Sequence, residues 1–194
     1  MSVEIRLARE SDASGILAIY APIVEQTAIS FELAPPSEDE VRKRIRSIQS
    51  THAWLTCEKD GMVAGYAYAS KFRPREAYLW TTEVTVYVHQ AHRRRGYAKA
   101  LYLSLFDILR LQGFCTAIAV IALPNPASVQ LHEQLGFTEV GVIRSAGYKL
   151  NEWHDTGWWQ LELQQHPLVR SRPIPVVDLP SGKYKANTIG DRFI

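Results

Sequence analysis

One segment constrains the fold more than any other: a strand pattern that passes through a basic turn into a long helix. Glu83–Val88 is rich in β-branched residues, which favour a buried strand. The stretch from Gly96 to Leu111 has apolar residues at helical spacing, and Gly113 directly follows its end. A strand, a turn and a helix in this order are typical of a sheet covered by helices.

Alternating strand and helix patterns continue through the rest of the chain. Asp12, Ser37 and Asn125 stand where helix N-caps are expected, and Asp60-Gly61 favours a tight hairpin. The predicted strands are Val3–Ala8, Ala53–Glu58, Met62–Ala69, Thr116–Leu123, Thr138–Tyr148 and Gly157–Leu163, and the further predicted helices are Asp12–Ile23, Ser37–Gln49 and one that starts after Asn125. We therefore predict an α/β (α+β) protein with one mixed sheet of about six to seven strands and about four flanking helices.

Two regions of unequal character make up the chain. Residues 1–166 carry all of these patterns and are expected to form one domain. Residues 167–194 contain several prolines and little periodicity, so they are predicted to be a separate extension, either a strap or a mobile tail.

Composition excludes several functional classes. The chain has 194 residues, of which 46% are hydrophobic and 22% charged, and it shows neither a signal-peptide pattern nor a membrane-length apolar run. A cytoplasmic location without a membrane partner is therefore expected. The net charge of +2 argues against a nucleic-acid partner, and Cys57 and Cys115 lack both disulfide and metal-ligand spacing, so no metal is expected.

The basic turn has the chemistry of a phosphate site. Unpaired amides at a helix N-terminus bind anions, and small residues at positions 96 and 98 let phosphate approach the backbone. Taken alone, the turn is equally compatible with a solvated basic helix cap. The candidate contacts are Arg93, Arg94, Arg95, Gly96, Tyr97, Ala98 and Lys99.

Two spaced motifs resemble those of the GNAT superfamily of N-acetyltransferases. Arg93, Gly96 and Ala98 match the coenzyme A signature, and residues 125–137, which end in Leu-Gly-Phe, resemble the second block of the superfamily. Residues 82–88, 147–149 and 153–155 are most similar to the phosphinothricin and methionine sulfoximine acetyltransferase group. The likeness covers about residues 3–165. A Rossmann or P-loop site is excluded, because the required glycine and lysine patterns are absent.

The resemblance implies the GNAT fold and acetyl-CoA as co-substrate. In the superfamily the pantetheine arm lies along the strand before the phosphate turn, which here assigns contacts to Val86, Tyr87 and Val88, with the Val86 amide polarising the thioester carbonyl. Five residues of strand cover about 16 Å, which suits such an arm. Asn125 and Ser128 are further candidate coenzyme contacts, although Asn125 is also a helix cap by its own chemistry.

Two side chains are candidates for acid and base catalysis. Glu83 stands where the resembled group has glutamate, and it is the predicted base for the acceptor amine, although a glutamate at a strand end is also compatible with a solvent-exposed role. His132 occupies a position at which many members have a tyrosine acid. Its role stays open between acid, base and a hydrogen bond to the coenzyme.

The acceptor is predicted to be a small amino-acid-like amine. Arg73 can pair with a substrate carboxylate, and Lys71, Phe72, Phe31 and Glu83 complete the candidate acceptor contacts, with Tyr78, Trp80, Tyr148 and Trp153 as further aromatic walls. A polyamine, an aminoglycoside or a protein N-terminus is the alternative acceptor, and a non-catalytic acetyl-CoA sensor is the alternative function. Because members of the resembled group are commonly homodimers, a homodimer is expected, with the extension as a candidate strap across the partner.

Overall fold

A computed structural model describes residues 3–166, 168 and 171–180, and the backbone of residues 187–188. Four helices are present in these residues: α1 Ala13–Gln26, α2 Glu38–Gln49, α3 Tyr97–Gln112 and α4 Pro126–Gln134. The strands are β1 Val3–Leu7, β2 Trp54–Lys59, β3 Met62–Lys71, β4 Thr81–Val88, β5 Thr116–Leu123, β6 Thr138–Lys149, β7 Glu152–Glu162 and the two-residue β8 Asn187–Thr188.

All the strands belong to one mixed sheet, in the order β6-β7-β5-β4-β3-β2-β1-β8. Strands β4 and β5 are parallel neighbours, whereas the other described pairs are antiparallel. The predicted α/β architecture, with seven main strands and four helices, is confirmed. The parallel pair lies at the centre of the sheet and is joined by α3, as a parallel connection requires.

Each face of the sheet carries its own core. Helix α3 packs on one face with its buried residues Leu101, Leu105 and Leu109, and Val84 of β4 belongs to that cluster. Helices α1 and α2 cover part of the other face, where Trp54 and Tyr66 are buried. The two layers are the physical result of apolar residues that alternate along the strands and recur every third or fourth position along the helices.

Most of the predicted helix ends are confirmed. The Ser37 side chain accepts a hydrogen bond from the Glu40 amide, and that of Asn125 accepts one from the Ser128 amide. Gly113 ends α3 with a φ of 95°. Asp12 occupies the predicted N-cap position of α1, but its carboxylate caps no amide of that helix and instead pairs with Arg6 at 2.7 Å, because a largely buried arginine needs a counter-charge.

Three strands differ from the prediction by two or more added residues, and the first of them, β3, runs to Lys71 rather than Ala69. Strand β4 begins at Thr81, and β7 begins at Glu152 rather than at Gly157, because β6 and β7 form one long hairpin. The described part of the extension packs on its own chain, where Val176 and Leu179 join the core. The division into 1–166 and 167–194 stays a prediction, since the remainder of the extension lies outside the described residues.

Candidate active site

The central parallel strands separate after three residue pairs. Strands β4 and β5 are paired only from Thr81 with Thr116 to Glu83 with Ile118. Beyond this point Val84–Val88 still pair with β3, and β5 still pairs with β7 on its other edge, but β4 and β5 no longer pair with each other. The two strands thus enclose a wedge that is open on both faces of the sheet.

Backbone groups of β4 point into this wedge. His89 donates to the Ala64 carbonyl across the β3–β4 ladder at 2.9 Å, and hydrogen-bonded residues alternate along an antiparallel pair. In this register the N–H groups of residues 83, 85 and 87 face β3. The N–H of Val86 therefore faces the wedge, where β5 offers it no partner strand.

The basic turn lies directly beyond the end of β4. Gly96 has a φ of 77° and would meet no atom within 4 Å if it carried a Cβ, so the approach to its backbone is open. Helix α3 starts at the next residue, and its first amides have no partner inside the helix. Arg93, Arg94 and Arg95 are exposed and form no salt bridge within the described residues. An anion can bind here to amides and cations together.

A cavity of about 290 Å³ crosses the sheet through the wedge. Glu83 lies on the α1 and α2 side of it, and its carboxylate accepts no hydrogen bond from any described residue. Burial raises the pKa of Glu83, while the positive charge of Arg73 partly opposes the rise. A half-buried carboxylate that is free of partners can accept a proton from a bound molecule.

His132 lies on the opposite side of the cavity and is held at both nitrogens. Its Nδ1 is 2.7 Å from the Ser128 carbonyl oxygen, which can only accept, so Nδ1 carries the proton. Its Nε2 is 3.1 Å from the Tyr102 hydroxyl, which therefore donates to it. Burial lowers the pKa of His132, although the Ser128 bond opposes this. The neutral ring can accept a proton at Nε2 but has none to give there.

Comparison with known proteins decides the family. The sequence model of the acetyltransferase (GNAT) domain matches residues 5–158. The phosphinothricin N-acetyltransferase of Streptomyces viridochromogenes is 41% identical over 162 residues, which is 84% of this chain and 88% of that enzyme. The chain belongs to the GNAT acetyltransferase family.

Two further relatives support the assignment. The L-methionine sulfoximine/L-methionine sulfone acetyltransferase of Salmonella typhimurium is 32% identical and covers 84% of this chain and 95% of its own. A phosphinothricin acetyltransferase from Sinorhizobium meliloti, solved with acetyl-CoA, superposes with a TM-score of 0.83 at 34% identity, over 88% of this chain and 93% of that one. The family resemblance predicted from the sequence motifs is confirmed.

The geometry of the acetyltransferase fits acetyl-CoA. The wedge presents backbone groups of Val86 and Val88 to an extended arm, and the turn at Gly96 presents amides and arginines to a diphosphate. Both features adjoin the cavity that holds Glu83. Among the described residues no three His, Cys, Asp or Glu side chains are grouped so that they could hold a metal ion.

The cavity brings together candidate residues from three parts of the sequence. Glu83, Val86 and Tyr87 line it from β4, and Asn125, Ser128 and His132 line it from α4 and its cap. Phe31 comes from the segment between α1 and α2. The phosphate-turn residues, from Arg93 to Lys99, do not line the cavity but lie beyond the wedge.

Lys71 and Arg73 lie apart from the other candidates. Both line a second cavity at the other end of β3 and β4. The Arg73 guanidinium also lies over the Phe72 and Trp158 rings, at 4.7 and 5.4 Å from their centroids. The positive charge of Arg73 still acts on Glu83, because it lowers the pKa that burial raises. Tyr148 and Trp153 are exposed on the β6–β7 hairpin and do not line the Glu83 cavity.

Phe31 is held in place by the β6–β7 hairpin. Its ring lies so close to Gly147 that a Cβ there would come within 2.3 Å of it. The adjacent Ser30 carbonyl accepts a hydrogen bond from the buried Lys149 ammonium at 2.6 Å. The cavity wall from Ile29 to Phe31 therefore depends on residues almost 120 positions later in the sequence.

Tyr102 was not among the residues predicted from the sequence. It is 1% exposed, lines the cavity and bonds to His132. Its spacing from Leu105 and Leu109 places it on the apolar face of α3, so the sequence pattern indicates a core residue. The available signal was chemical, since a buried tyrosine hydroxyl needs a hydrogen-bond partner.

Proposed function

We propose that this acetyltransferase moves the acetyl group of acetyl-CoA to the amine of a small amino-acid-like acceptor, of the phosphinothricin or methionine sulfoximine type. The observation that carries the proposal is the single cavity through the sheet, which joins Glu83 to the β4 wedge. The acceptor can enter from the α1 and α2 side, and acetyl-CoA from the α3 side. Direct transfer within a ternary complex then needs no covalent enzyme intermediate.

Glu83 is proposed as the base. An ammonium has no lone pair, so the acceptor must lose a proton before its nitrogen can attack. The raised pKa of Glu83 brings a carboxylate closer to the basicity that this task needs, and its lack of hydrogen-bond partners leaves the oxygens free.

Acetyl-CoA supplies an acetyl thioester with a good leaving group. The Val86 N–H faces the wedge and is proposed to stabilise the negative charge that develops on the carbonyl oxygen. Glu83 takes the first proton of the acceptor ammonium, and after attack the second proton is proposed to pass through the Tyr102 hydroxyl to Nε2 of His132. The C–S bond then breaks, and coenzyme A leaves as its thiolate, which solvent protonates. An acid role for His132 would require a charged ring, which its burial disfavours.

Amino-acid-like acceptors are supported by charge and by size. Arg73 lines the second cavity, but its charge acts on Glu83, and it is proposed to pair with an acceptor carboxylate. Phe31 lines the Glu83 cavity and limits its size. Phe72 stacks under Arg73 and supports it. Polyamines and aminoglycosides are cations, and Arg73 would repel them. Lys71 lines the other cavity, so no contact with the acceptor is assigned to it.

Thiol release from acetyl-CoA tests the proposal. The acceptor panel contains phosphinothricin, methionine sulfoximine, ordinary amino acids, polyamines and aminoglycosides. Turnover restricted to amino-acid-like acceptors is the expected result. Preference for polyamines or aminoglycosides would overturn the acceptor class, and acetyl-CoA binding without turnover on any acceptor would favour the sensor function.

We also propose a homodimer in the cytoplasm, without nucleic-acid or membrane partners. The β6 edge and the β6–β7 hairpin support the dimer, because they expose the apolar side chains Val140, Ile143, Tyr148, Leu150 and Trp153. No helix among the described residues is long and apolar enough to span a bilayer.

Light scattering of the wild type and of Ile143→Glu tests the proposed dimer, because a charge placed on the β6 edge should dissociate it. A monomeric wild type would contradict it.

A further inference from the structure

A second cavity, of about 240 Å³, lies at the end of the sheet opposite the phosphate turn. Its floor is formed by Phe114 and by His52, whose rings stack at a centroid distance of 5.0 Å. Tyr78 and Leu79 form one side wall. Apolar and aromatic surface therefore makes up most of the lining.

The C-terminal extension forms another wall of this cavity, through Pro173 and Pro175. This wall is fixed in place. The Ile174 amide donates to the Gln112 carbonyl at 2.7 Å, and the Gln112 side chain donates to the Ile174 carbonyl at 2.8 Å. Val176, which follows Pro175, is buried in the core. The wall lies beyond residue 158, where the family match ends, so it is an addition to the matched domain.

The charge in the cavity is positive. Lys71 lies at its rim and forms no salt bridge or hydrogen bond with any described residue. Arg172 is neutralised by Glu76 at 2.9 Å, and Arg73 is turned toward the Phe72 and Trp158 rings. His52 adds no charge, because burial and, second, the nearby Lys71 lower its pKa to about 4. Among the described residues that line the cavity, the Lys71 ammonium is the cation with neither an ion pair, a side-chain hydrogen bond nor a ring contact, and the lining around it is largely apolar.

We propose that this cavity is a second ligand site, which binds a small carboxylate with a flat apolar body. Lys71 contacts the carboxylate, and the ring lies against Phe114 and His52. The volume suits a ligand smaller than a drug-sized molecule, for which pockets measure about 300–1,000 Å³. The site is distinct from the cavity of Glu83 and needs no acetyl transfer to operate.

Fluorine NMR with 4-fluorobenzoate tests the site directly. Saturable binding to the full-length wild type is expected. Lys71→Met, which keeps length but removes charge, should weaken it about tenfold, as the loss of one charge-assisted contact does. Lys43→Met on the exposed face of α2 removes the same charge elsewhere and should leave the affinity unchanged. The neutral 4-fluorobenzyl alcohol should bind several-fold more weakly than the acid.

Three results would overturn the proposal. The first is the absence of saturable binding, and the second is equal weakening by Lys43→Met, which would indicate only a general charge effect. The third is loss of binding in Glu83→Gln or displacement by saturating methionine sulfoximine, which would place the probe in the catalytic cavity instead. Because the readout is binding alone, it stands or falls independently of the proposed reaction.

Discussion

The two sides of the catalytic cavity differ in how tightly their ionisable groups are held. On one side, Glu83 has no hydrogen-bond partner among the described residues and only one charged neighbour. On the other, His132 is 3% exposed and bonded at both nitrogens. In the proposed reaction Glu83 must meet a changing substrate, and it is left free, whereas His132 keeps one orientation and is fixed by its own chain. This difference predicts unequal effects of substitution.

The largest effect is expected for Glu83→Gln. The amide keeps the size of the side chain but cannot take a proton, so kcat should fall by about 10²–10⁴-fold. Acetyl-CoA affinity, measured by calorimetry, should stay the same because the turn and wedge are unchanged. Glu4→Gln, an exposed glutamate on β1, is the matched control and should retain full activity. A Glu83→Gln enzyme with a kcat near that of the wild type would contradict the proposal that Glu83 is the base.

A smaller effect is expected for Tyr102→Phe. This change removes only the hydroxyl that donates to His132, so one polar interaction at the reaction centre is lost and kcat should fall about tenfold, the equivalent of roughly 1.4 kcal/mol. The buried Nε2 is left without a donor, so the free energy of unfolding in urea should also drop, by about 1–3 kcal/mol. Tyr66→Phe, which removes a hydroxyl from another buried tyrosine, is the control for activity. Lower stability with unchanged kcat would make the Tyr102 contact structural only.

Gly147→Ala tests the wall that faces Glu83. The new methyl group would overlap the Phe31 ring and push it from its place, so the acceptor KM should rise several-fold while the acetyl-CoA KM stays constant. A double-mutant cycle with Phe31→Ala separates this cause from general strain. If the clash acts through Phe31, Gly147→Ala adds nothing in the Phe31→Ala background. Additive effects in the cycle would contradict that route.

The smallest effect is the expected shift of the pH profile in Arg73→Met, a variant in which kcat/KM itself should also fall because the acceptor carboxylate loses its proposed partner. The positive charge of Arg73 favours the ionised form of Glu83 and so lowers its pKa. Removing the charge should raise that pKa further, and the acidic limb of kcat/KM should move to higher pH by up to about one unit. Lys71→Met serves as a comparison at the same end of β3. A limb that moves to lower pH would have the wrong sign for this interaction.

The sequence predicted the order of elements and several of the cavity residues, because both depend on local patterns. Strand and helix periodicity, the Asn125 cap and the Gly96 turn are each encoded within a few residues. Two motifs far apart in the chain then identified the family, and the family carried Glu83 and His132 as candidates.

Contacts between distant parts of the chain could not be predicted in this way. Periodicity marked Tyr102 as a core residue, and only the separation of β4 from β5 brings it to the cavity. Lys71 is near Glu83 in the strand pattern, yet it lines a different cavity. Asp12 has the chemistry of a helix cap, but its carboxylate forms a salt bridge with the buried Arg6 instead.

The most direct test of the central claim is the pH dependence of kcat/KM for methionine sulfoximine in wild type and Glu83→Gln. Burial raises the pKa of Glu83 above its ordinary value of 4.5, so the wild type should gain activity through an ionisation above that pH. In Glu83→Gln this limb should disappear, leaving only the ionisation of the acceptor amine at higher pH. The same acidic limb surviving in Glu83→Gln would show that another group takes the proton.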